Sequence, residues 1–220
     1  MKLAIAHYHL NPGGVTQVIL NQILALDRAA GTGSLEVLVL HGGRAEGWPV
    51  DFADRLSRVK LTLLPVEGLD YDTGVLAVET LFQNFRDALG TQGMVPAETT
   101  LLVHNPTLGK NVSLPLVVAR LADVGYPCLC QLHDFAEDFR PANYVRLEQA
   151  WGQGMERLYP QASALHYAAL TGRDTRVLAA AGIEPIRVHC LPNPVIAAPP
   201  EASRDAARQR LQQQFGIARR

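Results

Sequence analysis

The residues that could do chemistry stand in short clusters, each just behind an apolar run. His133-Asp134 follows Cys128–Leu132 and opens a stretch carrying Glu137, Asp138, Arg140 and Asn143. A histidine at the mouth of a sheet can serve as a general acid or base, or can hold a hydroxyl group. A loop histidine making only structural hydrogen bonds is the plain alternative. His104-Asn105-Pro106 and Lys110-Asn111 follow the run Thr99 to Val103. Amides and a lysine suit hydroxyl, carboxylate or phosphate recognition, and equally an ordinary capped turn. Asn11-Pro12-Gly13-Gly14 lies between the first apolar run and a helical pattern. Glycines there let a phosphate approach the backbone, and free N–H groups at a helix start favour an anion. A plain tight turn is the other reading.

Several better-defined signatures are absent. No third glycine completes a Gly-x-Gly-x-x-Gly dinucleotide fingerprint after Gly14. Gly109-Lys110 is not a phosphate-binding P-loop, because His104 stands where its first glycine belongs and Asn111 where Ser or Thr belongs. Ser113 and Ser163 have no Gly-x-Ser-x-Gly elbow around them. His7 and His9 alternate and would share one side of a strand, but no third metal ligand stands at a diagnostic spacing. Cys128-x-Cys130 lacks zinc-knuckle spacing and reads as core packing, as does Cys190.

The elements that must position these clusters alternate in type. Strands are expected at Leu3–Tyr8, Glu36–Leu40, Lys60–Pro65, Thr99–Val103, Cys128–Leu132, Ser163–Tyr167 and Ile186–Leu191. Helical spacing appears at Val15, Val18, Ile19, Ile23 and Leu26, again at Val75, Val78, Phe82, Phe85 and Leu89, and at Leu114, Val117, Val118, Leu121 and Val124. A further helix is expected between His133 and Tyr159, and another from Asp174 to Ala181, capped by Thr171 and ended by Gly182. Strands alternating with helices, the strands being continuous apolar runs, predict an α/β fold: a Rossmann-like, mostly parallel sheet with helices on both faces. In such sheets ligands bind at the carboxyl ends of the strands, which points to the loops at 7–14, 41–50, 104–111 and 133–143.

Composition narrows the class. The chain has 220 residues, 48% hydrophobic and 19% charged, with a formal net charge of −1. That is ample for a packed core and wrong for a general nucleic-acid or anionic-membrane binder. Its 3 cysteines fit a reducing cytoplasm better than a disulfide framework. No apolar run reaches the length of a membrane span.

Taken in order, the clusters resemble the N-terminal domain of a GT-B-fold glycosyltransferase, of the retaining group that includes glycosyltransferase family 4. The carrying features are Gly13-Gly14 after the first strand, Leu132-His133-Asp134 after the fifth, the Ala162–Ile183 passage, and Val188-His189-Cys190-Leu191-Pro192-Asn193. Pro194 stands where that group usually has glycine. The resemblance implies a nucleotide-sugar donor, a glycosyl acceptor, no separate cofactor and no metal. It implies donor-diphosphate contacts at Gly13 and Gly14 and a catalytic contact at His133. It implies acceptor recognition from His9, Asn105, Lys110, Asn111, Asp134 and Arg140.

The same resemblance divides the chain into a domain over 1–196 and a linker and helix over 197–220 that lead to a C-terminal domain. Its paired glutamates belong in that domain. Glu148 and Glu156 have the spacing but precede Asn193 and lack the Gly-rich context. An isolated half is expected to fold without turning over, and to offer its cleft face for homodimerisation. The alternative is a non-catalytic sugar- or nucleotide-binding module.

Overall fold

The computed structural model describes residues 2–31, 33–71, 77–138, 140–152, 154–195 and 204–216. In chain order the elements are β1 (Lys2–His7), α1 (Gly14–Ala29), β2 (Leu35–His41), β3 (Val59–Pro65), α2 (Val78–Thr91), β4 (Thr99–His104) and α3 (Leu114–Asp123). There follow β5 (Cys128–Leu132), α4 (Pro141–Trp151), β6 (Leu165–Ala169), α5 (Gly172–Ala180), β7 (Val188–Cys190) and α6 (Arg204–Phe215). The strands form one 7-stranded sheet in the order β3-β2-β1-β4-β5-β6-β7. Every neighbouring pair is parallel.

Period-two alternation inside the apolar runs divides the core between two faces. Ile5, Val37, Val39 and Leu102 pack with Ile19 and Ile23 of α1. Ala4, Ala6, Leu38, Leu40, Leu101, Val103, Cys128, Cys130 and Tyr167 pack with residues of α2, α3 and α5. α2 buries Leu81, Phe82, Phe85, Ala88 and Leu89 on one stripe. Removing the Phe85 ring would cost roughly 3–5 kcal/mol, because the site is closed on all sides.

A buried carboxylate ties α1 to β3. Asp27 sits near the C-terminal end of α1, where the helix dipole disfavours it. It accepts from the backbone N–H groups of Ser57, Arg58 and Val59 and from the Ser57 hydroxyl, at 2.7 to 3.2 Å. Burial opposes its charge, but these donors outweigh burial and hold its pKa below the usual carboxylate value.

Several boundaries differ from the sequence expectation. Val75 lies outside the described residues, and α2 starts at Val78. β6 comes two residues later than Ser163–Tyr167, because Leu165, Tyr167 and Ala169 are the residues that alternate onto the helix-covered face. β7 is short, since Pro185–Arg187 takes a 3₁₀ turn before it. Cys190 corrects a core assignment: it is exposed. It stands on the edge strand, paired on one side only, with Ala169. Leu211 and Phe215 of α6 are exposed as well, at 51% and 62%.

Candidate active site

β1 lies between β2 and β4, so the chain order reverses there. α1 leaves β1 toward one face, while α3 leaves β4 toward the other. In open parallel sheets such a reversal is where loops diverge above the strand ends and ligands bind. His7, His9, His41, His104 and His133 all stand at those ends or within two residues of them.

Two of these histidines form a pair. His104 Nδ1 and His133 Nε2 are 2.8 Å apart, with the rings stacked at 22°. His104 is fully buried, and its Nε2 has no hydrogen-bond partner among the described residues. His133 is half-buried. Burial lowers the pKa of both: well below the ordinary value for His104, where His133 and His7 add repulsion, and less for His133, where Asp134 opposes the shift. Burial also pushes His7 down to about 3. The His7 Nδ1–H donates to the His104 carbonyl at 3.4 Å.

A second cluster centres on Tyr71. Its ring lies 5.2 Å from Tyr8 and 5.0 Å from His9. The Arg44 guanidinium sits over it at 5.4 Å and the Lys110 ammonium at 5.0 Å. Arg44 is held by two 2.5 Å bonds to Asp70. A Cβ at Gly42 would collide with the Asp70 backbone, so glycine there admits the close approach of the two loops. Lys110 makes no ion pair among the described residues. His9 Nδ1 accepts from the Asn11 N–H at 3.4 Å, which leaves its proton on Nε2.

The structure separates the expected site residues by what their polar atoms do. Asn105 is buried at a left-handed φ of 53°. Its Oδ1 accepts from the N–H groups of His133 and Asp134 at 2.6 and 3.3 Å. Asn111 is fully buried. Its Nδ2 donates to the carbonyls of Gly68 and Asp70 at 2.7 and 2.9 Å, while its Oδ1 accepts from Ser113 and Leu114 at the start of α3. Both amides therefore grip neighbouring chain. Gly109, at φ 75°, packs where a Cβ would press on Leu147 of α4, which lets the 104–113 loop fold inward. Asp134 pairs with Arg140 at 2.8 Å, both partly exposed. Gly13 and Gly14 are exposed, and the first turn of α1 has neither a capping side chain nor an acidic residue. Its first N–H groups therefore lack internal partners.

Arg44, Asp70, Tyr71 and the inward role of His104 are not apparent from local sequence. Asp70 and Tyr71 follow the third strand, whose loop carries no recognisable pattern. Among the described residues no three His, Cys, Asp or Glu side chains are arranged to hold a metal, and no helix is long and apolar enough to cross a membrane.

On β5, buried Gln131 receives a 2.6 Å bond from Gln22 of α1. Its own Nε2 reaches the Leu191 carbonyl at 3.4 Å and Asn193 Oδ1 at 3.5 Å. Asn21 donates to the Pro194 carbonyl at 2.9 Å. The segment after β7 is thereby tied back to α1.

No protein-family profile matches the chain, and no curated protein matches its sequence. Solved structures match its fold. HepE of Anabaena, solved in complex with UDP and glucose, superposes with a TM-score of 0.54 at 13% identity, covering 98% of this chain and 50% of that one. Arabidopsis thaliana UGT89C1, complexed with UDP-L-rhamnose, superposes with a TM-score of 0.50 at 12% identity, covering 100% of this chain and 56% of that one. The chain thus spans about half the length of the structures it matches. At this identity the likeness is one of fold: a Rossmann-like parallel sheet, matching one half of a GT-B architecture.

Proposed function

We propose that this chain is the acceptor-side half of a glycosyltransferase that moves a sugar from a nucleotide-sugar to an acceptor. The carrying observation is the set of groups gathered at the β1/β4 reversal. It presents an uncapped helix N-terminus, neutral histidines and Lys110 on a fold shared with structures solved with UDP and with a UDP-sugar. In this reading the first N–H groups of α1, at Gly13 and Gly14, meet the donor diphosphate as its charge grows. His133 contacts the transferred sugar. His9, Lys110, Asp134 and Arg140 face the acceptor. Asn105 and Asn111 serve the same site from behind by fixing the loops that carry those groups. The departing phosphate takes the acceptor proton, so no dedicated base is required.

Residues 1–196 form the domain, and 197–220 lead through α6 toward a second domain that would hold the nucleotide. The exposed Leu211 and Phe215 suit a helix that packs elsewhere. Titration of this chain with UDP, UDP-glucose and GDP-mannose, followed by amide NMR, tests the reading. Shifts confined to Gly13, Gly14 and His133, without donor hydrolysis, are expected. The protein carrying the second domain should hydrolyse one donor. Unmoved Gly13 and Gly14 resonances with every nucleotide-sugar would overturn it.

A further inference from the structure

The 2.8 Å contact between His104 Nδ1 and His133 Nε2 holds one proton between two imidazoles. Two arrangements satisfy it, and they leave different atoms behind. If His133 donates, the proton of His104 sits on Nε2. That nitrogen is buried with no partner among the described residues, in a residue with no exposure. An N–H would then be stranded in the core. If His104 donates from Nδ1, only a lone pair is stranded. Orphaned buried N–H groups are rarer than under-satisfied acceptors, and leaving a donor unmade costs its full desolvation. The second arrangement is therefore the stable one.

We propose that buried His104 fixes His133 as the Nδ1–H tautomer, so that His133 meets a ligand oxygen as a hydrogen-bond donor and not as a base. The proposal rests on the transferase reading for what the ligand is, and on this chain's geometry alone for the tautomer. The positively charged alternative, with both rings sharing an extra proton, is opposed by burial and by His7, whose ring lies 6.2 Å from that of His104. The neighbouring Asp134 favours that charge, but it is already paired with Arg140. In this arrangement His133 Nε2 is occupied, and Nδ1 makes no hydrogen bond to the described residues. Acting as a base would require breaking the 2.8 Å bond. Acting as an acid would require refilling through His104, and that route ends at an isolated Nε2. The pair is a fixed donor, suited to a phosphate or hydroxyl oxygen. His104 is a positioning residue for it.

Long-range proton–nitrogen correlation NMR on this chain at pH 7.5 reads the tautomers directly. Both His104 and His133 should show a protonated Nδ1 and a bare Nε2, with His133 favouring this form by roughly tenfold or more. A protonated Nε2 on either ring overturns the proposal. His104→Asn places an amide N–H where Nδ1–H stood and should keep His133 as Nδ1–H. His104→Leu removes the donor and should return His133 to the Nε2–H form that predominates in free side chains. Retention of Nδ1–H in His104→Leu also overturns it. Should His104→Leu fail to fold, the wild-type spectrum still decides. UDP-glucose leaving every resonance unmoved would count against the transferase reading only, because the tautomers are read without ligand.

Discussion

The backbone N–H of His133 donates to Asn105 Oδ1 at 2.6 Å, and Asn105 reaches it from a left-handed backbone at φ 53°. The Tyr8 hydroxyl pins the same residue from below, donating to the Asn105 carbonyl at 2.6 Å. The ends of β1, β4 and β5 are thus joined through one side chain and its backbone. Asn105→Gly keeps the backbone conformation and deletes the acceptor. It should cost about 1–2 kcal/mol in urea unfolding and broaden the His133 resonances. Asn105→Ala adds strain at positive φ and should cost roughly 1 kcal/mol more. Equal stability for the two variants would show that the conformation is not constrained.

Gly14 needs no glycine for the fold. A Cβ there meets nothing within 4 Å, and its φ is not left-handed. Gly14→Ala should therefore raise stability by about 0.5–1 kcal/mol, as glycine is disfavoured within a helix. If the first turn of α1 receives the donor diphosphate, the same substitution should weaken nucleotide-sugar binding and lower turnover in the protein carrying both domains. Opposite signs in the two measurements separate a ligand role from a structural one. A more stable variant with unchanged turnover would remove the phosphate role.

Lys110 rests over the Tyr71 ring at 5.0 Å without an anionic partner among the described residues. The contact contributes on the order of 0.5–1 kcal/mol when solvent-accessible. Lys110→Met keeps the stem on the ring and removes the charge. Thermal stability should change by less than about 1 kcal/mol, while calorimetric affinity for substrate should fall roughly tenfold if the ammonium meets an oxyanion. Unaltered affinity would place Lys110 outside the site.

The inner strands of the sheet are legible in the sequence because they are largely buried on both faces and read as unbroken apolar runs, Val37–Leu40 and Leu101–Val103 being the clearest. His133-Asp134 and Gly13-Gly14 are legible because they directly follow such runs. Tyr71, Asp70 and Arg44 are not, because their association depends on two loops meeting across strand ends. Asn105 and Asn111 look like ligand-facing amides in sequence. Which way an amide turns depends on buried backbone donors and acceptors that only the folded loop supplies. Cys190 reads as core packing like the other strand cysteines, but it stands exposed on the short edge strand β7.

The buried neutral histidines make a pH prediction with a definite sign. His7 is pushed down to about 3 and His104 well below the ordinary 6.5, in both cases chiefly by burial. Unfolding returns them to about 6.5, so the unfolded chain binds more protons below that pH. Their contribution is fully present above about pH 6.5 and is lost as pH falls toward the folded values. Each should lower stability by about 1.4 kcal/mol per pH unit once the unfolded histidine is protonated. Asp27 also loses its contribution in acid, but only below about pH 4, since its folded pKa is depressed from the carboxylate value. Urea midpoints between pH 7.5 and pH 5 therefore isolate the histidines. His104→Leu should remove one proton from the difference and flatten the slope by about 1.4 kcal/mol per pH unit. A slope unchanged by His104→Leu would mean that His104 titrates normally in the folded chain, and its neutral burial at the end of β4 would then be wrong.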